Sequence, residues 1–115
     1  MKTNFVVILV TCSSEKEAEG IVDSLLKRRL IACANIISGI RSKFWWRGKI
    51  DNAKEYLILL KAGRKNFIII EKIIKHTHSY LVPEIIALPI VAGSKDYMKW
   101  LGGPSRPCVN KGRSE

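Results

Sequence analysis

Residues 5–26 read FVVILVTCSSEKEAEGIVDSLL, an apolar run followed at once by a helix signal. The run from Phe5 to Thr11 is uncharged and rich in β-branched residues, which predicts a strand covered on both faces. Ser14 and Glu17 then have the spacing of a capping box. The apolar residues after them recur at the helical period and give the helix one apolar face: Ala18, Ile21, Val22, Leu25 and Leu26. The chain therefore opens with a strand and a helix.

Two further strands are predicted to follow the first helix. Residues 31–46 indicate a long strand, with an irregularity at Ser38-Gly39 because glycine inside a strand favours a bulge. Arg47-Gly48-Lys49 then turns the chain back. The return strand is predicted over about residues 55–61, and it is too apolar for one of its faces to be fully wet.

A second helix and a fourth strand complete the pattern. Asn66 is a candidate cap for this helix, whose apolar stripe consists of Phe67, Ile70, Ile73, Ile74 and Thr77. The last strand is predicted over about residues 82–90, where Pro83 and Pro89 restrict it to the edge or the ends of a ladder. Ser94 then caps a short helix that holds Tyr97, Trp100 and Leu101.

The order of these elements, βαββαβ, is that of a split βαβ unit. It predicts an α+β, ferredoxin-like domain over residues 1–101, with a short helix at its carboxyl end. Such a unit packs both of its long helices on one sheet face. Because the strands are apolar on both faces, the opposite face is predicted to be an interface between copies of the chain. Residues 102–115 lack periodicity and carry glycine, proline and polar residues, which predicts a flexible tail.

The charge of the chain favours contact with polyanions but does not define a function. Lys and Arg number 20 against 10 Asp and Glu, a net charge of +10. This keeps a basic, ferredoxin-fold nucleic-acid-binding module as the alternative function. Against it, the central strands hold Val6, Ile8, Leu57 and Leu59 where RNA-recognition modules expose aromatic residues. Because scattered basic residues are commonly a solvated face, nucleic acid is not the expected partner.

The compartment is expected to be the cytosol. The apolar run near the amino terminus is shorter than the core of a usual signal peptide, and no run approaches the roughly 18 residues of a membrane span. The three cysteines, Cys12, Cys33 and Cys108, are widely spaced and form no C-x-x-C pair. This argues against a disulfide framework and against a structural zinc site.

Three stretches carry a family resemblance. They are residues 29–37, RLIACANII; residues 44–50, FWWRGKI; and residues 78–90, HSYLVPEIIALPI. In these segments, and in the strand that ends in Thr11-Cys12, the chain resembles the CutA family of divalent-cation tolerance proteins over about residues 5–101. The resemblance implies a homotrimer in which sheets face inward and edge strands of neighbouring subunits meet. It also implies binding of copper or another divalent metal ion near the third stretch, and we expect this binding to be weak in this chain.

Four residues are candidates for binding sites. His78 and Glu84 lie six positions apart, and imidazole with carboxylate can bind copper or zinc, although two ligands are too few for a complete site. The alternative is that a histidine after a helix only complements the helix dipole. The resemblance further implies that Trp46, Tyr80 and Glu84 surround clefts between subunits, similar to the effector clefts of trimeric PII-type signalling proteins. The alternative role of Trp46 is core or interface packing.

An enzymatic function is not expected. The sequence has no nucleophile elbow, no H-E-x-x-H motif and no phosphate-binding glycine loop. His76 and His78 are the only histidines that could act as a general base. The aspartates lie in a predicted helix, a turn and a helix start, so no catalytic triad is predicted.

Overall fold

The structure, a computed structural model, describes residues 3–103. Residues 1–2 and 104–115 lie outside the described residues, so the predicted tail over 102–115 stays a prediction. The elements in chain order are β1 (Phe5–Cys12), α1 (Glu15–Lys27), β2 (Cys33–Trp46), β3 (Lys49–Gly63), a short 3-10 turn (Arg64–Asn66), α2 (Phe67–Thr77), β4 (Ile85–Pro89) and α3 (Lys95–Gly102).

The four strands form one antiparallel sheet in the order β2-β3-β1-β4. This confirms the predicted α+β, ferredoxin-like fold. The two central strands, β1 and β3, pair along the whole of β1, from Phe5 opposite Gly63 to Cys12 opposite Tyr56. The order of elements therefore predicted which strands lie at the centre of the sheet and which lie at its edges.

The core lies between one sheet face and the two long helices. Alternate residues of the central strands are fully buried on this face, including Ile8 and Val10 of β1 and Leu60 of β3. Leu25 of α1 and Ile70 of α2 pack into the same cluster. The alternation follows from strand geometry, because successive side chains point to opposite sides of the sheet.

The other sheet face, here termed the open face, carries apolar side chains that no long helix covers. Leu9 and Leu59 are paired at its centre, and both are partly exposed. This face is not wholly bare within one chain. Tyr97 of α3 places its hydroxyl 3.5 Å from the sulfur of Cys33, whose register with Lys61 puts it on the open face. The carboxyl-terminal helix thus covers one end of this face.

Strand lengths differ from the predictions in both directions. β3 begins at Lys49 rather than near Glu55, because residues 49–54 pair with β2 although their own sequence is polar. Tertiary pairing overrides local strand propensity here. β4 covers only Ile85–Pro89 rather than residues 82–90, since Pro83 cannot donate to a ladder.

Two predictions about irregular positions had different outcomes. The bulge near Ser38-Gly39 is confirmed, with a register shift between Ile37 and Ile40 and a positive φ of 76° at Gly39. Asn66 stands at the N-cap position of α2, as predicted, but its side chain makes no capping hydrogen bond. Its side-chain amide instead donates to the carbonyl oxygen of Leu30 at 3.2 Å and ties the start of α2 to the segment after α1.

Candidate functional site

The stretch after α2 forms a polar cluster with the carboxyl end of β1 and the first turn of α1. His78 terminates α2 in an extended conformation, and its backbone N–H donates to the carbonyl oxygen of Ile74 at 2.8 Å. The chain then crosses the end of the sheet before β4 begins at Ile85. This crossing brings residues 78–80 against the end of β1.

The imidazole of His78 is fully buried, with 0 % of its side chain exposed. Its Nε2 lies 2.8 Å from the carbonyl oxygen of Thr11, and its Nδ1 accepts the backbone N–H of Tyr80 at 2.9 Å. An Nδ1 that accepts a backbone N–H leaves Nε2 to carry the proton and to donate to Thr11. Both ring nitrogens therefore have protein partners, and a metal ion could bind the ring only by displacing one of them.

Glu17 of α1 forms hydrogen bonds with the same segment. Its carboxylate accepts the backbone N–H of Ser79 at 2.7 Å and the Ser79 hydroxyl at 3.0 Å. The capping-box prediction is half confirmed, because Ser14 accepts the N–H of Glu17 at 3.1 Å whereas the Glu17 carboxylate reaches Ser79. Although desolvation alone would raise the pKa of Glu17, the Ser79 hydrogen bonds hold this pKa below its usual range.

Tyr80 connects the cluster to β3. Its hydroxyl donates to the Oε2 of Glu55 at 2.7 Å, and its ring lies 4.8 Å from the His78 ring, centroid to centroid. Glu55 shares a strand face with Leu57 and Leu59 and is buried, a costly position for a carboxylate that lacks a donor. Burial, followed by the hydrogen bond to Glu55, raises the pKa of Tyr80 well above its usual value, so the hydroxyl stays protonated and donates.

The structure brings only part of the predicted site together within one chain. His78 and Tyr80 share the polar cluster, whereas Glu84 is exposed beyond Pro83. Trp46 lies at the tip of the β2–β3 hairpin, 57 % exposed, with the Arg47 guanidinium 5.5 Å from its ring centroid.

The hairpin tip and Tyr80 are far apart along the sheet. Tyr80 contacts Glu55, and Glu55 lies six residues along β3 from Lys49, the partner of Trp46 in the hairpin. At about 3.3 Å per residue this is about 20 Å of strand. Within one chain, Trp46 therefore does not border the polar cluster that contains Tyr80.

Sequence reasoning missed Glu55 and the second role of Glu17. Glu55 could have been found as a carboxylate on the same strand face as Leu57 and Leu59, which were expected to be covered. Glu17 gave only a capping signal, because nothing in the local sequence indicates a contact with Ser79, which is 62 residues away.

Within residues 3–103, no group of three or more His, Cys, Asp or Glu side chains is arranged to hold a metal ion. Metal binding by His78 and Glu84 therefore stays a prediction. His76, the other histidine, is exposed on α2. Any metal site that uses His78 would need further donors from a neighbouring subunit or from solvent.

Glu17→Gln should reduce stability at neutral pH, by about 1–2 kcal/mol, because two hydrogen bonds then lose a charged acceptor. The folded-state pKa of Glu17 is lowered from about 4.5, so its stabilising effect is present above that pH and is lost as the pH falls through the folded-state pKa. Urea denaturation of both proteins at one protein concentration should therefore give curves that converge in acid. Glu19→Gln, at an exposed position of α1, is the control, and a stability gap that persists in acid would contradict the role of Glu17.

The chain matches a protein-family model and several known proteins. Residues 6–103 match the family model described as the CutA1 divalent ion tolerance protein. The chain belongs to this family. The divalent-cation tolerance protein CutA of Thermus thermophilus is 40 % identical over 95 residues, which cover 83 % of this chain and 92 % of the relative. A CutA protein of Archaeoglobus fulgidus is 40 % identical over 94 residues, 82 % of this chain and 91 % of the relative.

Solved CutA structures share the fold described above. The Thermus thermophilus CutA1 structure superposes with a TM-score of 0.81 at 39 % identity, covering 84 % of this chain and 94 % of that chain. CutA1 from Oryza sativa gives a TM-score of 0.82 at 34 % identity, covering 87 % and 92 %. The family resemblance stated from the three sequence stretches is thus confirmed, and the chain is a member of a divalent-cation tolerance family. None of the helices within residues 3–103 is long and apolar enough to span a membrane.

Proposed function

We propose that this CutA protein acts in divalent-cation tolerance as a non-enzymatic homotrimer whose binding clefts are completed between subunits. The observation that carries this proposal is the β2–β3 hairpin. β1 ends opposite Tyr56, so the part of β3 from Lys49 to Glu55 pairs with β2 alone. A two-stranded ribbon is marginally stable in water unless something packs against it.

The exposed side chains of the hairpin support a protein partner. Trp45 is 72 % exposed and Ile50 is 69 % exposed, beside Trp46 at the tip. Large apolar side chains clustered at a protruding tip are typical of an interface, because leaving them in water forgoes the free energy of their burial. The partly exposed Leu9 and Leu59 on the open face provide a second apolar surface in the same chain.

A second copy of the chain would bring the separated site residues together. The hairpin of one subunit can reach past the end of its own sheet, where the partner subunit's Tyr80 and Glu84 would border the same cleft as Trp46. Tyr80 and the buried Glu55 would form a polar wall, and Trp46 an apolar one. Such a cleft suits a small effector, as in the PII-type trimers that the family resemblance implies.

Copper(II) should bind this protein only weakly, with His78 and Glu84 as the proposed donors. The reason is that the His78 ring must release Tyr80 or Thr11 before it can bind the ion, which costs about 1–2 kcal/mol. Calorimetric titration of the wild type, of His78→Ala and of Glu84→Gln tests this, and both variants should weaken binding.

His76→Ala is the matched control for the copper titration, because it removes an exposed imidazole two residues from His78. Unchanged affinity and stoichiometry in folded His78→Ala and in Glu84→Gln would remove both residues from the site. Tight, stoichiometric zinc binding would instead indicate a structural metal.

The nucleic-acid alternative has less support. The middle of the open face carries Leu9 of β1 with Leu57 and Leu59 of β3, all aliphatic, and the aromatic residue of β1 on this face, Phe5, lies at its end beside Gly102 of α3. Val6 and Ile8, which were expected at this surface, are instead buried in the core. RNA-recognition modules stack bases on aromatic residues at such positions. Nucleic-acid binding that results from the net positive charge should be non-specific, and its affinity should fall steeply as the salt concentration rises. Binding of one oligonucleotide sequence that survives physiological salt would favour the alternative.

We also propose the cytosol as the compartment. The compartments given in the names of relatives differ. One relative from Oryza sativa is named chloroplastic, and one from Archaeoglobus fulgidus is described as periplasmic. Cell fractionation with an antibody to this chain tests the compartment directly.

A further inference from the structure

The structure contains a cavity of about 550 Å³ at the end of the domain opposite the polar cluster. It lies where β1 begins, β3 ends and α2 starts. β1 runs eight residues from Phe5, beside the cavity, to Cys12, near Glu17 and His78. At about 3.3 Å per residue the two places are about 23 Å apart. The cavity is therefore separate from the proposed cleft.

The residues that line this cavity provide apolar surface and positive charge. Phe5, Leu30, Ile31 and Trp100 supply apolar and aromatic surface. The charged side chains that line it are all cationic, namely Arg29, Arg64 and Lys65, and none of the described lining residues is acidic. A volume of this size with an apolar body and a few convergent polar groups is typical of a small-molecule site.

The position of two of these cations is unfavourable for the fold alone. Arg64 and Lys65 lie in the turn that leads into α2, where the positive end of the helix dipole disfavours cations. The first turn of α2 has no acidic residue, and the side chain of Asn66, which could have capped the helix, donates to Leu30 instead. The positive charges of Arg64 and Lys65 therefore do not stabilise α2. A bound anion would compensate this charge.

We infer that the cavity binds a small organic anion, a molecule with a planar or aliphatic apolar body and one phosphate or carboxylate group. Arg64 and Lys65, both exposed at the rim, would contact the anionic group. Phe5 and Trp100 would contact the apolar body. This inference does not depend on the proposed clefts or on the binding of any metal ion.

Titration of the full chain with naphthyl phosphate, followed by amide NMR, tests the inference. The amide signals of Gly63 and Gly102, which line the cavity, should shift and saturate. Inorganic phosphate and naphthol, which each supply half of the ligand chemistry, should bind more weakly than naphthyl phosphate. The double variant Arg64→Gln/Lys65→Gln should weaken naphthyl phosphate binding about tenfold or more.

Lys16→Gln/Lys72→Gln is the matched control, because it removes the same charge from exposed positions that do not line the cavity. Its affinity for naphthyl phosphate should stay within about twofold of the wild type. An equal loss in both double variants would show a general effect of charge and would overturn the inference. So would saturable shifts confined to other residues, or no shift of the cavity amides at millimolar probe.

Discussion

Leu59→Glu should yield a chain that is insoluble or unfolded. Leu59 lies at the centre of the open face, paired with Leu9, and the proposed trimer covers this face. A carboxylate placed there would be buried without a partner in every subunit, at a cost of about 3–5 kcal/mol each. A domain of this size has little stability to spare, so a penalty of that magnitude removes most of it. Leu57→Lys, on the same face, should behave alike.

Ile68→Glu is the matched control for the open-face substitution. Ile68 is 64 % exposed on α2, the helix that packs on the other side of the sheet, and the change introduces the same charge. This variant should fold and assemble as the wild type does. Sedimentation and circular dichroism distinguish the two variants. If Leu59→Glu gave a folded protein with the stability of the wild type, the open face could not be the interface.

His78→Ala should lower the free energy of unfolding by about 2–5 kcal/mol, with or without metal. The substitution leaves a cavity where a fully buried ring was, and it leaves the Thr11 carbonyl and the Tyr80 N–H without their partner. Urea denaturation at one protein concentration, in the presence of a chelator, measures this effect.

His76→Ala again provides the comparison, because its imidazole is exposed on α2. We expect it to change stability by no more than about 0.5 kcal/mol. The result that would contradict a structural role for His78 is a wild-type free energy of unfolding in His78→Ala when metal is absent. In that case the hydrogen bonds to Thr11 and Tyr80 would contribute nothing measurable to the fold.

Local patterns in the sequence predicted most of the fold. The uncharged run 5–11, the helical stripe after Ser14 and the bulge at Gly39 each depend on residues close together in the chain, and each is present in the structure. The polar start of β3 was not predictable in this way, because residues 49–54 become a strand only by pairing with β2. The capping role of Asn66 failed for a similar reason, since Leu30 lies 36 residues away.

The candidate site was less predictable than the fold. His78 and Tyr80 stood out as unusual residues in an apolar stretch, and they do lie together. Their partners come from distant segments. The sequence separation between His78 and Thr11 is 67 residues, and that between Tyr80 and Glu55 is 25 residues. A histidine that looks like a metal ligand in sequence can therefore have both nitrogens engaged by the backbone. Such contacts are a property of tertiary structure, which the spacing of residues in one segment does not contain.

The molar mass of the wild-type protein in solution tests the proposed assembly most directly. Light scattering at micromolar concentration should give three times the chain mass of 13.0 kDa, and dilution should produce unfolded chains rather than folded monomers. The trimer should persist in a chelator, because the proposed interface is apolar and requires no metal. A folded species of 13.0 kDa at those concentrations would contradict both the interface and the clefts that depend on it.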